Sequence, residues 1–345
     1  MLMLKKTIAA LSLLSILAAC QNDENPSQPE PKPRQDINLT RAEQEFMDKG
    51  TDFAFRFFDQ VCSTEKEKPN VFVSPLSASL CLSMITNGAT DNTLAEMQDV
   101  LGFPANTFSL DDLNNYNQKL TSALLDLDNT TQLGIANSIW IEEGFKVYDS
   151  FVDVNKKMYD AQVQELDFTS PTAKDVINQW CATQTNNCIK EVIQEIPADA
   201  RMYLINALYF KGIWKSQFDK SATGQDNFTN VDGSQQKVAM MNQTATFNYT
   251  QTDDFSIAEL PYGNEAFSMV ILLPSGDKTL DESLPSLNYE NWKQWSKNMV
   301  GKELQIKLPR FKVEYDKELE EDMIAMGMKD AFDAYKAKFA NMSGA

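Results

Sequence analysis

The residue types that carry acid–base and nucleophilic chemistry are unevenly supplied in this chain. Among 345 residues there is no His. Ser-His-Asp and Cys-His catalysis both need an imidazole that titrates near neutral pH, so hydrolases of the usual triad type are excluded, and His-ligated zinc with them. Carboxylates are abundant: with 49 acidic residues, pairs at i, i+3 or i+4 are inevitable. The densest run, Glu320, Glu321 and Asp322, reads as the solvated face of a helix rather than as an acid/base pair. Thiols are the remaining nucleophiles. Besides Cys20 there are Cys62, Cys81, Cys181 and Cys188; the seven-residue spacing of the last two could close across a turn or leave two free thiols. No P-loop, GxGxxG or metal-spaced carboxylate loop is present, which argues against nucleotide and calcium chemistry. The sequence therefore offers no catalytic residues, no metal site and no cofactor site.

Composition bounds the partners. The net charge is 31 − 49 = −18, with a sequence pI near 4.5, which disfavours a nucleic-acid backbone as ligand. Hydrophobic residues at 43% are enough for a substantial core, and the length fits one large domain or two ordinary ones.

The first twenty residues read as an address. Lys5 and Lys6 precede an apolar stretch, residues 7–17, too short to span a bilayer permanently. It closes on Leu17-Ala18-Ala19-Cys20, which resembles a bacterial lipobox: cleavage before Cys20 and acylation of its sulfur and amine are expected, and several acyl chains anchor a protein stably to a membrane. The boundaries expected are a signal at 1–19, a disordered tether at 20–39 containing Pro26, Pro29, Pro31 and Pro33, and a folded domain at 40–345. Asp23-Glu24 resembles acidic surface-export signals, so the expected location is the outer membrane, facing the periplasm or the cell surface.

The elements that must position any site follow from local signals. Thr40-Arg41-Ala42-Glu43 has capping-box spacing before Phe46, Phe53 and Phe57 on one helical face. Ser74-Pro75 opens a second helix, apolar on several faces and therefore buried, with Asn87-Gly88 as a left-handed stop. Helices are expected at 93–101, 110–127 and 149–159, one from Ser170-Pro171, and a last one at 316–326. Strands are expected around 133–141, at 163–168, 201–211, 236–249, 257–260, 267–273 and 303–314. A helical first half followed by long strands predicts an α+β fold with antiparallel or mixed sheets.

Several collinear segments carry a family resemblance. They are Asn70-Val71-Phe72-Val73-Ser74-Pro75-Leu76-Ser77; Asn206-Ala207-Leu208-Tyr209-Phe210-Lys211-Gly212-Ile213-Trp214; Met240-Met241-Asn242-Gln243; and Leu260-Pro261-Tyr262. Met269-Val270-Ile271-Leu272-Leu273-Pro274, Leu308-Pro309-Arg310-Phe311 and Met326-Gly327-Met328-Lys329-Asp330-Ala331-Phe332 complete the run. In order and spacing the chain resembles serpins. The resemblance implies a non-enzymatic inhibitor that needs no cofactor: a bait loop is attacked by a serine or papain-like cysteine protease, and the cut loop enters the large sheet as a new strand, dragging the acyl-enzyme with it. It implies a monomer whose partners are the target protease and, through Cys20, a membrane. It assigns Ser74, Ser77 and Asn206 to the polar cluster beneath the middle of that sheet, Asn178 to a helix position bonded to the sheet, and Trp214 and Arg310 to the end where the loop first inserts. It also implies that the hinge, the reactive bond, a buried histidine and the last strands would lie beyond Ala345, so the sequence is expected to be either a piece of a longer one or a shortened product. A shortened product would not inhibit. A serpin-fold binding or carrier lipoprotein is the alternative reading.

Overall fold

The computed structural model describes residues 30–344. The expected signal and Cys20 lie outside them. The described part of the tether, residues 30–39, forms no helix or strand. It is fastened at Lys32, whose backbone N–H donates to Asn129 Oδ1 (2.8 Å) and whose ammonium meets Asp126 (2.6 Å).

The first half is helical. Helix α1 (Arg41–Thr64) begins at a reciprocal capping box, Glu43 N–H to Thr40 Oγ1 and Thr40 N–H to Glu43 Oε2. Helix α2 (Pro75–Thr86) is capped by Ser74, and from Ser77 onward every residue but Ser79 is buried. Its stop differs from expectation. Asn87 is right-handed and Gly88 has no positive φ. Glycine is needed at 88 for space instead, because a Cβ there would sit 2.7 Å from Met342 Cβ. Helices α3 (Asp91–Leu101) and α4 (Leu110–Asp126) follow, the latter with its own capping box at Ser109 and Asp112.

Strand β1 (Gln132–Glu142), helix α5 (Asp149–Tyr159), strand β2 (Ala161–Leu166), helix α6 (Ala173–Gln184) and strand β3 (Met202–Lys211) build the first sheet. Ser170-Pro171 lies in the turn before α6 rather than at its start. The sheet order is β2-β1-β3, with β1 parallel to β2 and antiparallel to β3. Strands β4 (Gly224–Thr229), β5 (Gln235–Gln251), β6 (Phe255–Pro261) and β7 (Ser268–Pro274) form an antiparallel run, with β8 (Val300–Pro309) paired to β5. Between β7 and β8 lie two helices not foreseen from the sequence, α7 (Leu280–Ser283) and α8 (Tyr289–Lys297); α9 (Glu320–Met326) follows β8. The result is the expected α+β fold with mixed and antiparallel sheets.

Two expectations near the end are corrected. The strand predicted for 303–314 stops at Pro309, and residues 310–319 run on without a ladder partner among the described residues. The apolar alternation continues through Val313 and Tyr315, which pack on the main core, while Phe311 is exposed. For the same reason the last helix starts at Glu320 and not at 316.

The largest core joins α1, α2, α3 and α4 to one face of β1 and β3, through Phe53, Phe57, Met84, Leu113 and Ile139. On the other face α6 packs Ile177, Trp180 and Cys181 against Trp140, Tyr203 and Ile205. The β1–β3 pair is thus covered on both sides, and each fully buried large side chain contributes roughly 1.5–3 kcal/mol.

Candidate strand-opening site

The polar groups under β3 form one connected seam. Helix α2 crosses beneath the strand, and its N-cap sets the geometry: Ser74 Oγ accepts from Ser77 N–H (3.3 Å), which fixes the first turn. The Ser77 hydroxyl, buried, donates to Asn206 Oδ1 on β3. Asn206 Nδ2 donates to Asn137 Oδ1 (2.8 Å), its direct cross-strand partner on β1. Asn137 Nδ2 in turn donates to the Tyr159 carbonyl (2.7 Å) at the end of α5. Beside this line the Cys81 thiol donates to Leu204 O (3.5 Å), and burial pushes that thiol up to about 12, so it stays a neutral donor.

The seam continues beneath α5. Tyr159 OH donates to Asn114 Oδ1 (2.6 Å) and accepts from Asn117 Nδ2 (3.3 Å), while Asn114 and Asn87 exchange amide bonds. Burial raises the Tyr159 phenol to about 12 despite those hydrogen bonds, so this side chain is neutral as well. The whole line from Ser74 to Asn87 holds buried polar groups with partners and no net charge.

Ser74, Ser77 and Asn206 lie together where α2 meets β3. Asn137, Tyr159 and Asn114 were not singled out from the sequence. Asn137 becomes visible only when 132–142 is laid antiparallel on 202–211, since register and not local sequence sets it opposite Asn206. Asn178 is a correction. Its amide oxygen accepts from Val192 and Ile193 N–H (2.8 and 2.9 Å), and its NH₂ donates to Ile193 O (2.8 Å). It pins the loop after α6 onto that helix and, among the described residues, makes no hydrogen bond to the sheet.

At the far end of β3, Trp214 is buried and stacked on Tyr262, with ring centroids 4.3 Å apart and an 18° interplanar angle. Phe218 meets it edge-on. Gly212 makes this possible, because a Cβ there would lie 2.7 Å from Tyr262 Cδ1. Arg310 is exposed; its backbone N–H donates to Ala239 O (2.8 Å) just beyond β8, and Leu308 two residues earlier joins the Trp214 cluster. One edge of β3 pairs with β1. Its other edge has no strand partner among the described residues.

A second polar cluster of opposite character sits between α1 and α9. The Lys317 ammonium meets Glu65 Oε1 (3.0 Å), Asp322 Oδ2 (3.2 Å) and Thr64 Oγ1 (2.6 Å). Asp322 is fully buried and also accepts from Thr64 Oγ1 (2.9 Å). The reading of Glu320, Glu321 and Asp322 as a solvated face therefore fails at Asp322, which shares the inward side of α9 with Leu319 and Met323 and meets α1. The four described thiols are unpaired, Cys181 and Cys188 included. Among the described residues no group of three or more Cys, Asp or Glu is placed to hold a metal ion.

Residues 48–345 match the sequence profile of the family described as Serpin (serine protease inhibitor). The chain is 33% identical over 298 residues to a serpin-like protein of Methanosarcina acetivorans, covering 84% of this chain and 69% of that one. It is 31% identical to human Serpin B3, covering 85% and 80%. The crystal structure of tengpin, a thermophilic serpin, in the latent state superposes with a TM-score of 0.81 at 30% identity, covering 90% of this chain and 82% of that one. The fold is an α+β scaffold with a neutral polar seam beneath its first sheet. The chain belongs to the serpin family.

Proposed function

We propose that this protein inhibits serine, or papain-like cysteine, endopeptidases by a suicide-substrate mechanism. The target's own nucleophile attacks a bait carbonyl and forms an acyl-enzyme. The cut bait then enters the first sheet beside β3 as a new strand before water can hydrolyse the ester or thioester, and the bound protease is deformed. Serpins are themselves a standard instance of a strand added to a sheet in this way. The inhibitor supplies no catalytic residue. What it supplies is a sheet that can accept a strand.

The observation that carries this reading is the neutral seam that ties β3 to α2 beneath it and to β1 beside it. Moving β3 over α2 breaks the Ser77–Asn206 bond, a neutral hydrogen bond whose net worth is about 1 kcal/mol and which can re-form after the move. Trp214 and Arg310 flank the end where insertion begins. We propose further that the mature protein starts at Cys20, is lipid-anchored there, and faces the periplasm or the cell surface as a monomer. The test is to mix the full-length protein with trypsin-like, elastase-like and papain-like proteases. A complex that survives SDS is expected with at least one of them. Cleavage of the protein with no such complex would overturn the inhibitory reading and favour a carrier.

A further inference from the structure

The turn between α4 and β1 is tied to the opposite end of the site by a single carboxylate. Asp128, only 5% exposed, accepts at Oδ1 from Thr130 N–H (2.8 Å) and Thr130 Oγ1 (2.7 Å), and at Oδ2 from Thr131 Oγ1 (2.8 Å) and Asn264 N–H (3.4 Å). Asn264 returns the contact by donating from Nδ2 to Leu127 O (2.8 Å). Gly263 beside it has φ +41°, and a Cβ there would lie 2.1 Å from Asp128 Oδ2, so the approach admits only glycine. The same turn holds the end of β3: Gly263 N–H donates to Ile213 O (2.8 Å), Lys215 N–H donates to Pro261 O (2.9 Å), and Tyr262 carries the stacked Trp214. The start of β1 and the end of β3 are themselves ladder partners, Gln132 opposite Lys211.

Asp167 shows what this motif does without the extra partner. It has the same local pattern, accepting from Thr169 N–H (2.9 Å) and Thr169 Oγ1 (2.6 Å), yet it is exposed and bonds nothing outside its own turn. Burial alone would raise the Asp128 carboxyl, but the donors around it hold it below its ordinary value, so it is an ionised acceptor at neutral pH.

We infer that Asp128 is a positioning residue that clamps the β1–β3 pair shut at the Trp214 end, so that an entering strand comes in on the side of β3 away from β1 and does not separate β3 from β1. The link from Asp128 through Asn264, Gly263 and Tyr262 to Gly212 and Trp214 is continuous in contact. Losing it leaves the ladder intact but frees the end of the pair to fray. That this steers strand insertion rests on the inhibitory reading above; the clamp itself does not.

Hydrogen exchange on the full-length protein tests the clamp. Asp128→Asn is expected to speed exchange at least tenfold in segments 208–218 and 261–267, leaving 161–168 unchanged. Asn264→Ala, which removes the return bond, is expected to reproduce the pattern should Asp128→Asn fail to fold. Asp167→Asn is expected to alter only its own turn. Changes confined to 126–132, or spread equally over all segments, would overturn the inference. A second readout separates it from the inhibitory reading: in a target that forms SDS-stable complexes, Asp128→Asn is expected to at least double the share of inhibitor cleaved without trapping. An unchanged share would overturn the steering role, whereas absence of complexes with the unmodified protein would fall on the inhibitory reading and leave the exchange result to decide the clamp.

Discussion

Two buried polar clusters in this molecule are built on opposite principles. The seam from Ser74 through Ser77, Asn206 and Asn137 to Tyr159 is neutral, a relay of hydroxyls, amides and a carbonyl. The cluster of Lys317, Glu65 and Asp322 is ionic, with the lysine side chain 11% exposed and Asp322 wholly enclosed. Neutral hydrogen bonds net about 1 kcal/mol each and can be exchanged for equivalents after a small sliding motion. Separating buried ions leaves charges uncompensated at several kcal/mol. The first kind suits a part that must move, the second a part that must not. Their locations agree: the seam lies under β3, the strand proposed to move, and the ionic cluster fastens the stretch 310–319 to the end of α1.

The contrast is tested most severely at the ionic end. Lys317→Met is expected to cost about 3–5 kcal/mol by urea unfolding, because it strands two carboxylates. The triple change Lys317→Met, Glu65→Leu, Asp322→Leu is expected to recover most of that loss. A single-mutant cost below about 1 kcal/mol would show that the cluster is solvated and no anchor. At the neutral end Asn206→Ala is expected to cost less, about 1–3 kcal/mol, since it leaves the Ser77 hydroxyl and the Asn137 amide without their partner. Exchange of β3 amides should rise with it while α9 amides stay protected; the reverse distribution would contradict the assignment of the moving part.

Smaller effects sharpen the picture. Ser74→Ala removes the α2 cap and is expected to cost about 0.5–2 kcal/mol, with the loss visible as fraying at Pro75–Thr86. The Cys81 thiol, raised to about 12 by burial, is expected to resist iodoacetamide at pH 8 in the native protein and to react once urea unfolds it. Labelling of native protein at the rate of the unfolded chain would mean that β3 already swings clear of α2. Asp128 gives the pH dependence. Its folded carboxyl lies below its ordinary 3.8, so its contribution is complete above that value and is lost as pH falls through the depressed one. Acid unfolding of Asp128→Asn is therefore expected to be less steep below about pH 4 than that of the unmodified protein. Identical acid limbs would mean that the donors around Asp128 do not favour its charged form.

The sequence was most legible where structure is local. The capping box at Thr40 and the Ser74-Pro75 start marked α1 and α2, because their signals are contained within one turn of chain. The strip of motifs from Asn70 to Phe332 placed Ser77 and Asn206 in one site. Legibility failed where a partner decides the outcome. The alternation after Pro309 looked like strand because Val313 and Tyr315 are inward-facing, but a strand needs a ladder and 310–319 has none among the described residues. Asp322 looked solvated because it sits in an acidic run, yet it stands one turn on from buried Leu319 and beside buried Met323, on the side of α9 that packs against α1. Asn137 and Asp128 carry no local signature at all. The first depends on strand register, the second on a turn 136 residues away.

The central claim is that cutting the bait adds a strand to the first sheet beside β3. Comparing the melting temperature of the full-length protein before and after limited proteolysis of its bait segment tests it most directly. The cleaved form is expected to melt well above the intact one, because the inserted strand adds a ladder of backbone hydrogen bonds beside β3. A cleaved form that melts at the same temperature or lower, with β3 amides exchanging as fast as before, would contradict the account.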